Sequence, residues 1–111
     1  MLGVKDKGIL LQIIKRCNRV IEKVSNISVT DFSLNDDIKE VVCFNLFQIG
    51  ELANGLSIEF IKEYNKIPWK QIIGMRNRIV HGYDTINFEI VWNTANESIP
   101  ELKSYCKEIL S

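Results

Sequence analysis

The apolar residues of this chain recur at three- and four-residue steps, and that spacing constrains the fold more than any other feature. Leu10, Ile13, Ile14, Cys17, Val20, Ile21 and Val24 make one stripe along a first helix predicted over Val4–Val24, which Ser25-Asn26 ends. A loop follows to Ser33 or Asn35, each able to cap the next helix. That second helix is expected over Leu34–Asn54, with Gly55 as its stop. Val41, Val42, Cys43, Phe44, Leu46, Phe47, Ile49, Leu52 and Ala53 cover almost its whole circumference. A helix apolar all round must be buried on several sides, which in 111 residues hints at a partner surface. Asn45, Gln48 and Glu51 break it at three-residue steps. They read as a narrow polar ridge whose partners are expected on the helix carrying Arg76 and His81.

Ser57 is placed to cap a short helix, Ile58–Asn65. Pro68 opens a third main helix, Trp69–His81, stopped by Gly82. Asp84–Asn87 reads as a turn, and Asn87 caps a last helix, Phe88–Leu110, with a kink expected near Ser98-Ile99 because Pro100 lies inside the pattern. Nothing reads as a strand pair, a repeat or a linker. The expected fold is all-α: an antiparallel four-helix bundle with a short extra helix, one domain over residues 1–111. Trp69 and Trp92 are read as core anchors, Phe44 and Phe47 as core or dimer contacts.

Composition narrows the function classes. Formal net charge is zero, so the chain as a whole is no basic nucleic-acid binder. The distribution is uneven: five cations and one acid from Lys62 to Arg78, six acids and one cation from Asp31 to Glu59. A local cationic face holds few phosphates, with modest, salt-sensitive affinity. No apolar run reaches membrane-span length, and the Met1–Leu11 stretch, carrying Asp6 and no small-residue cleavage site, does not read as a signal peptide. Cys17, Cys43 and Cys106 are odd in number and far apart, as buried free thiols of a reduced cytoplasm would be. One histidine and three scattered cysteines make a poor zinc site, and no cofactor is called for.

The chemistry concentrates in Arg76-Asn77-Arg78-Ile79-Val80-His81-Gly82-Tyr83, which holds the chain's single histidine. Histidine both takes and gives a proton near neutral pH. Arginine fits a phosphate bidentately. Their combination points to phosphodiester chemistry, in which His81 moves a proton at a ribose 2′-OH or a leaving 5′-oxygen and Arg76 offsets charge on the phosphoryl group, although the same residues would equally serve simple phosphate binding. On a regular helix Arg76 and His81 stand about 140° apart. Either the helix ends at His81 and swings it round, as Gly82 permits, or a second copy of the chain completes the site.

These residues resemble the HepT-like toxins of the HEPN superfamily. The likeness rests on Arg-x4-His-x-Tyr within Met75–Tyr83, with Phe47-Gln48-Ile49-Gly50-Glu51-Leu52-Ala53, Ile67-Pro68-Trp69, Val91-Trp92 and Ile99-Pro100-Glu101-Leu102 in support. The resemblance implies a metal-independent endoribonuclease acting as a homodimer with two motifs in a shared cleft. Arg76 and His81 would be catalytic, with Asn77 and Glu51 supporting. It also implies a nucleotidyltransferase antitoxin that adds AMP to Tyr83, and transfer RNA as the substrate. A non-catalytic substrate-binding or regulatory subunit of that nucleotidyltransferase is the alternative, and a plain helical interaction domain a third.

Overall fold

Each long helix forms where the apolar stripe required it. The protein, analysed as a computed structural model, is described over residues 2–111; Met1, the first residue of the N-terminal stretch considered above, lies outside them. Helix α1 (Val4–Val24) turns Leu10, Ile13, Cys17, Val20 and Val24 inward. Helix α3 (Asp36–Ala53) buries Val42, Cys43, Leu46, Ile49 and Ala53, and Asn35 caps it by accepting from the Ile38 amide at 3.0 Å. Helix α5 (Trp69–Gly82) follows Pro68. The last helix is interrupted: α6 (Phe88–Asn93), capped by Asn87, passes through a π-helical stretch at Thr94–Ser98 into α7 (Ile99–Leu110). Pro100 has no amide to give back to the preceding turn, and the wider π turn just before it takes up the misfit. The kink expected at Ser98-Ile99 is thus a π bulge that ends there.

α3 is the central element. It packs against α1 on one side and α5 on the other, and α7 lies against α1. The fold is all-α, as the periodicity required, and no strand occurs among the described residues. Short helix α4 (Ile58–Glu63) is capped by Ser57, whose hydroxyl accepts from the Phe60 amide. One short helix was not expected. α2 (Val29–Leu34) occupies the supposed loop, so Ser33 lies inside a helix and α3 starts at Asp36 rather than Leu34. Its signal is a capping box: the Ser28 hydroxyl accepts from the Asp31 amide while the Asp31 carboxylate accepts from the Ser28 amide, both at 3.1 Å. α2 buries Phe32, whose ring meets Trp92 at 5.3 Å. Trp69 is an anchor as expected; it is buried, and its indole N–H donates to Tyr64 O at 3.0 Å.

A polar clasp ties the start of α1 to the α3–α4 junction. The buried Asp6 carboxylate accepts from the Ser57 amide at 2.9 Å and from its hydroxyl at 2.7 Å, while the same hydroxyl caps α4. A carboxylate holding two donors of another segment is worth more than a neutral pair, and removing it leaves buried donors unmatched. No described helix is long and apolar enough to cross a membrane. The three cysteines are free and buried. Burial pushes the thiols of Cys17 and Cys106 up to about 12 and that of Cys43 up to about 11.

Two outcomes follow. Asp6→Ala should cost about 2 kcal/mol, read as a lower urea midpoint at unchanged slope, and Ser57→Ala should cost less because its amide still reaches Asp6. At pH 8 a thiol reagent should label none of the three cysteines in the native protein and all three in urea, because only unfolding restores thiolate.

Candidate functional site

The site begins with a close approach of two helices. Gly50 faces α5, and a Cβ there would stand 3.0 Å from Ile72 O and 3.1 Å from Arg76 Cβ. Only a residue without a side chain lets α3 and α5 meet this closely, with the start of the Arg76 side chain against the α3 backbone. A mid-helix glycine costs about 1 kcal/mol of propensity relative to alanine, so its presence needs a packing reason, and this contact is one.

The residue after Gly50 then takes the guanidinium. Arg76 Nη1 donates to Glu51 Oε1 in a direct ion pair across α3 and α5. Both side chains are partly exposed, so the pair adds at most about 1 kcal/mol to stability. Its consequence is positional: Glu51 fixes where the cation stands. Arg76 Nε is buried without an acceptor, so the guanidinium keeps donor capacity.

The expected polar ridge on α3 divides. Glu51 finds its partner on α5, but Asn45 does not. Its amide is buried, donates to Val41 O at 2.8 Å and accepts from Arg16 Nη1 of α1 at 3.3 Å. A three-residue step falls back about 60° around a helix, so Asn45 and Glu51, two steps apart, look about 120° away from each other. One faces α1 and the other α5. Gln48, between them, is half-buried. Of the two readings of Phe44, core or dimer contact, the fold removes the first: Phe44 is 52 % exposed in the single chain, while Phe47 is half-buried.

His81 is exposed and stands inside α5, which runs on through Gly82 before tightening into a 3-10 turn at Tyr83–Thr85. The helix therefore does not end at His81, and Gly82 does not swing it round. Arg76 and His81 keep their roughly 140° separation on one regular helix. His81 opens on a groove of about 510 Å³ between α5 and α6, shared with Asn77, Arg78, Ile79, Ile86 and Ile90. Arg76 does not line that groove. α5 is thinly covered: Trp69 is its one buried residue, and Val80 is 56 % exposed.

Tyr83 sits just past the helix, partly exposed, its ring edge-on to Phe88 at 5.9 Å. α5 stops one residue short of Tyr83. Partial burial of the phenol raises its pKa above the usual 10, and Cys43, Glu40, Asp36 and Asp84 push the same way. The cation of this corner, Lys39, is engaged: its ammonium pairs with Asp36, donates to Ser33 O and lies 4.5 Å from the Phe88 ring centroid.

Two structural residues escaped the sequence reading. Gly50 was visible as a glycine inside a helix. Arg16 left no signal, because nothing in the spacing couples it to Asn45, 29 residues away.

Comparison with known proteins gives the family. Residues 11–109 match the family described as Ribonuclease HepT-like. The chain is 39% identical over 101 residues to "Putative RNase TTE0752" of Caldanaerobacter subterraneus subsp. tengcongensis, covering 91% of this chain and 90% of that protein. It is 31% identical over 97 residues to "Putative RNase MJ1380" of Methanocaldococcus jannaschii, covering 87% of this chain and 89% of that protein. It is 28% identical over 97 residues to "Probable ribonuclease HepT" of Thermococcus cleftensis, covering 87% of this chain and 88% of that protein. No solved structure gives a significant match. The chain belongs to the HepT-like ribonuclease family of HEPN proteins.

Gly50→Ala tests the helix contact. The methyl gains about 1 kcal/mol of helix propensity but must displace α5 backbone, at a cost of about 1–3 kcal/mol. The net effect should be a lower melting temperature, whereas a surface glycine such as Gly8, with nothing within 4 Å of its added Cβ, should gain stability on the same change.

Proposed function

We propose that this ribonuclease is a metal-independent endoribonuclease whose site is completed by a second copy of the chain, with Arg76 and His81 as its catalytic pair. The observation that carries this is the regular run of α5 through both residues: one turns toward Glu51 and α3, the other opens on the α5–α6 groove. One chain therefore does not aim both at a single phosphate, and two copies related by a twofold axis can. The thin cover of α5, with Val80 outward, favours such pairing.

The reaction needs only what RNA carries. His81 accepts the proton of a ribose 2′-OH as that oxygen bonds to phosphorus, and the P–O5′ bond breaks. The leaving oxygen takes up a proton, giving a 2′,3′-cyclic phosphate and a 5′-hydroxyl. Arg76, held by Glu51 through Nη1, stabilises the extra negative charge on the phosphoryl oxygens. Asn77, exposed on the following step of the helix, is a further donor at the groove.

The same proposal includes a toxin role in the cytoplasm, transfer RNA as substrate, and silencing by a nucleotidyltransferase antitoxin that adds AMP to Tyr83. In that transfer the phenol oxygen bonds to the α-phosphorus of ATP, pyrophosphate leaves and the phenol proton is lost. The raised pKa of Tyr83 means that the partner must supply the base. A phosphate placed there would add negative charge to an already acidic corner and repel the backbone of a substrate.

The test is RNA cleavage by purified protein, resolved on a gel. Arg76→Ala and His81→Ala should each lower the rate by about 10²–10⁴, His81→Ala at unchanged melting temperature and Arg76→Ala with a drop of a few degrees at most, from loss of the pair with Glu51. Co-expressing the two variants should restore about a quarter of the wild-type rate, because about half the dimers are mixed and each of those holds one intact cross-subunit site. No restoration would place the site within one chain. Intact RNA with the wild-type protein would favour the non-catalytic subunit reading.

A further inference from the structure

The outer face of α3 carries an aromatic ring that the fold leaves uncovered. Phe44 is 52 % exposed in the middle of a helix whose other large apolar residues are turned inward or half-covered. It borders an open groove of about 490 Å³ between α1 and α3, together with Arg16, Arg19 and Asn45. The Arg16 guanidinium lies 5.8 Å from the Phe44 ring centroid. That arginine is not free to wander. Asn45 is buried, its amide orientation is set by the bond to Val41 O, and its oxygen then holds Arg16 Nη1. A buried side chain thus positions a cation beside an exposed ring.

We infer that Phe44 and Arg16 form a stacking subsite for an unpaired RNA base next to the cleavage site. The inference rests on the ribonuclease reading of Arg76 and His81. Phe44 and Glu51 are seven residues apart, so they share one stripe of α3 at about 10.5 Å, two helical turns. Glu51 holds Arg76. The platform and the phosphate-binding cation are therefore separated by roughly one to two nucleotides of extended strand. A ring with an adjacent guanidinium suits a nucleobase, which stacks on either plane while its phosphate stays near the cation. Arg19, exposed and paired with Glu22 at 3.1 Å, extends the cationic side along α1. Asp37 and Glu40 close the other rim, which keeps the backbone of the strand on the α1 side.

The experiment measures binding of a fluorescein-labelled single-stranded octaribonucleotide by anisotropy, in full-length His81→Ala protein so that the probe survives. Adding Phe44→Leu, which keeps the apolar volume but removes the ring, should weaken binding about tenfold. Phe44→Trp should restore it and show quenched tryptophan emission when RNA is added. Arg16→Ala should lower the salt dependence by about one phosphate contact. In the active protein, Phe44→Leu should raise KM with kcat little changed. Equal affinity of Phe44→Leu and its parent overturns the subsite, as does no binding of the octamer at low salt. A shift of Phe44→Leu from dimer to monomer mass overturns it too, by making Phe44 a subunit contact. If wild-type protein leaves RNA intact but the octamer still binds through Phe44, the cleavage reading fails and the stacking subsite stands.

Discussion

The close contact of α3 with α5 at Gly50 is the constraint on which the rest of this protein depends. It brings a glutamate and an arginine, 25 residues apart in sequence, into one ion pair. The energy of that pair is small, because both groups remain partly in water. Its value lies in geometry. A flexible arginine with several rotatable bonds gains one preferred station, and the entropy of placing it is met at folding. A side chain at position 50 would hold the helices apart, and Glu51 would then reach for a cation that had moved.

α3 serves two faces with two polar residues. Asn45 reaches α1 through Arg16, and Glu51 reaches α5 through Arg76. Both arginines are thereby set by partners on the same central helix. The apolar residues between them, Leu46, Ile49 and Ala53, form the core that keeps the helix from rotating and exchanging these partners. Stability and site geometry are consequences of the same packing. The ends of the bundle are secured separately, by the Asp6–Ser57 clasp near α4 and by the capping box that starts α2.

Net neutrality conceals a division of charge that suits a small nuclease in this family. Acidic groups gather at the start of α3 and around Tyr83, where Lys39 is already engaged. Arginines stand along α1 and α5. A polyanion is repelled from the first region and tolerated by the second, even though the total charge is zero. Burial first, and the acidic groups of this corner after it, raise the Tyr83 pKa above its usual 10.

Much of this was legible in the sequence. Periodicity set the all-α class and the extents of the long helices, because burying a stripe every 3.6 residues is a local property of the chain. Asn35, Ser57 and Asn87 were recognisable caps, since capping couples residues only two or three apart. Pro100 announced the break in the last helix. The Arg-x4-His-x-Tyr spacing marked the family, which the comparisons bear out. What the spacing did not carry was partnership across elements. It made Asn45, Gln48 and Glu51 one ridge facing one neighbour; packing sent the first to Arg16 and the last to Arg76. It allowed Gly82 to swing His81 round; the backbone leaves helical geometry only at Gly82 itself, with φ −140° and ψ 25°, so His81 keeps its place on the helix. It read Phe44 as core or dimer contact; within the single chain the fold leaves that ring exposed. Local hydrogen bonding and periodicity are written in adjacent residues, so the sequence by itself determined which helices form. Which faces meet depends on how close two backbones can come, and that was decided only when Gly50 met α5.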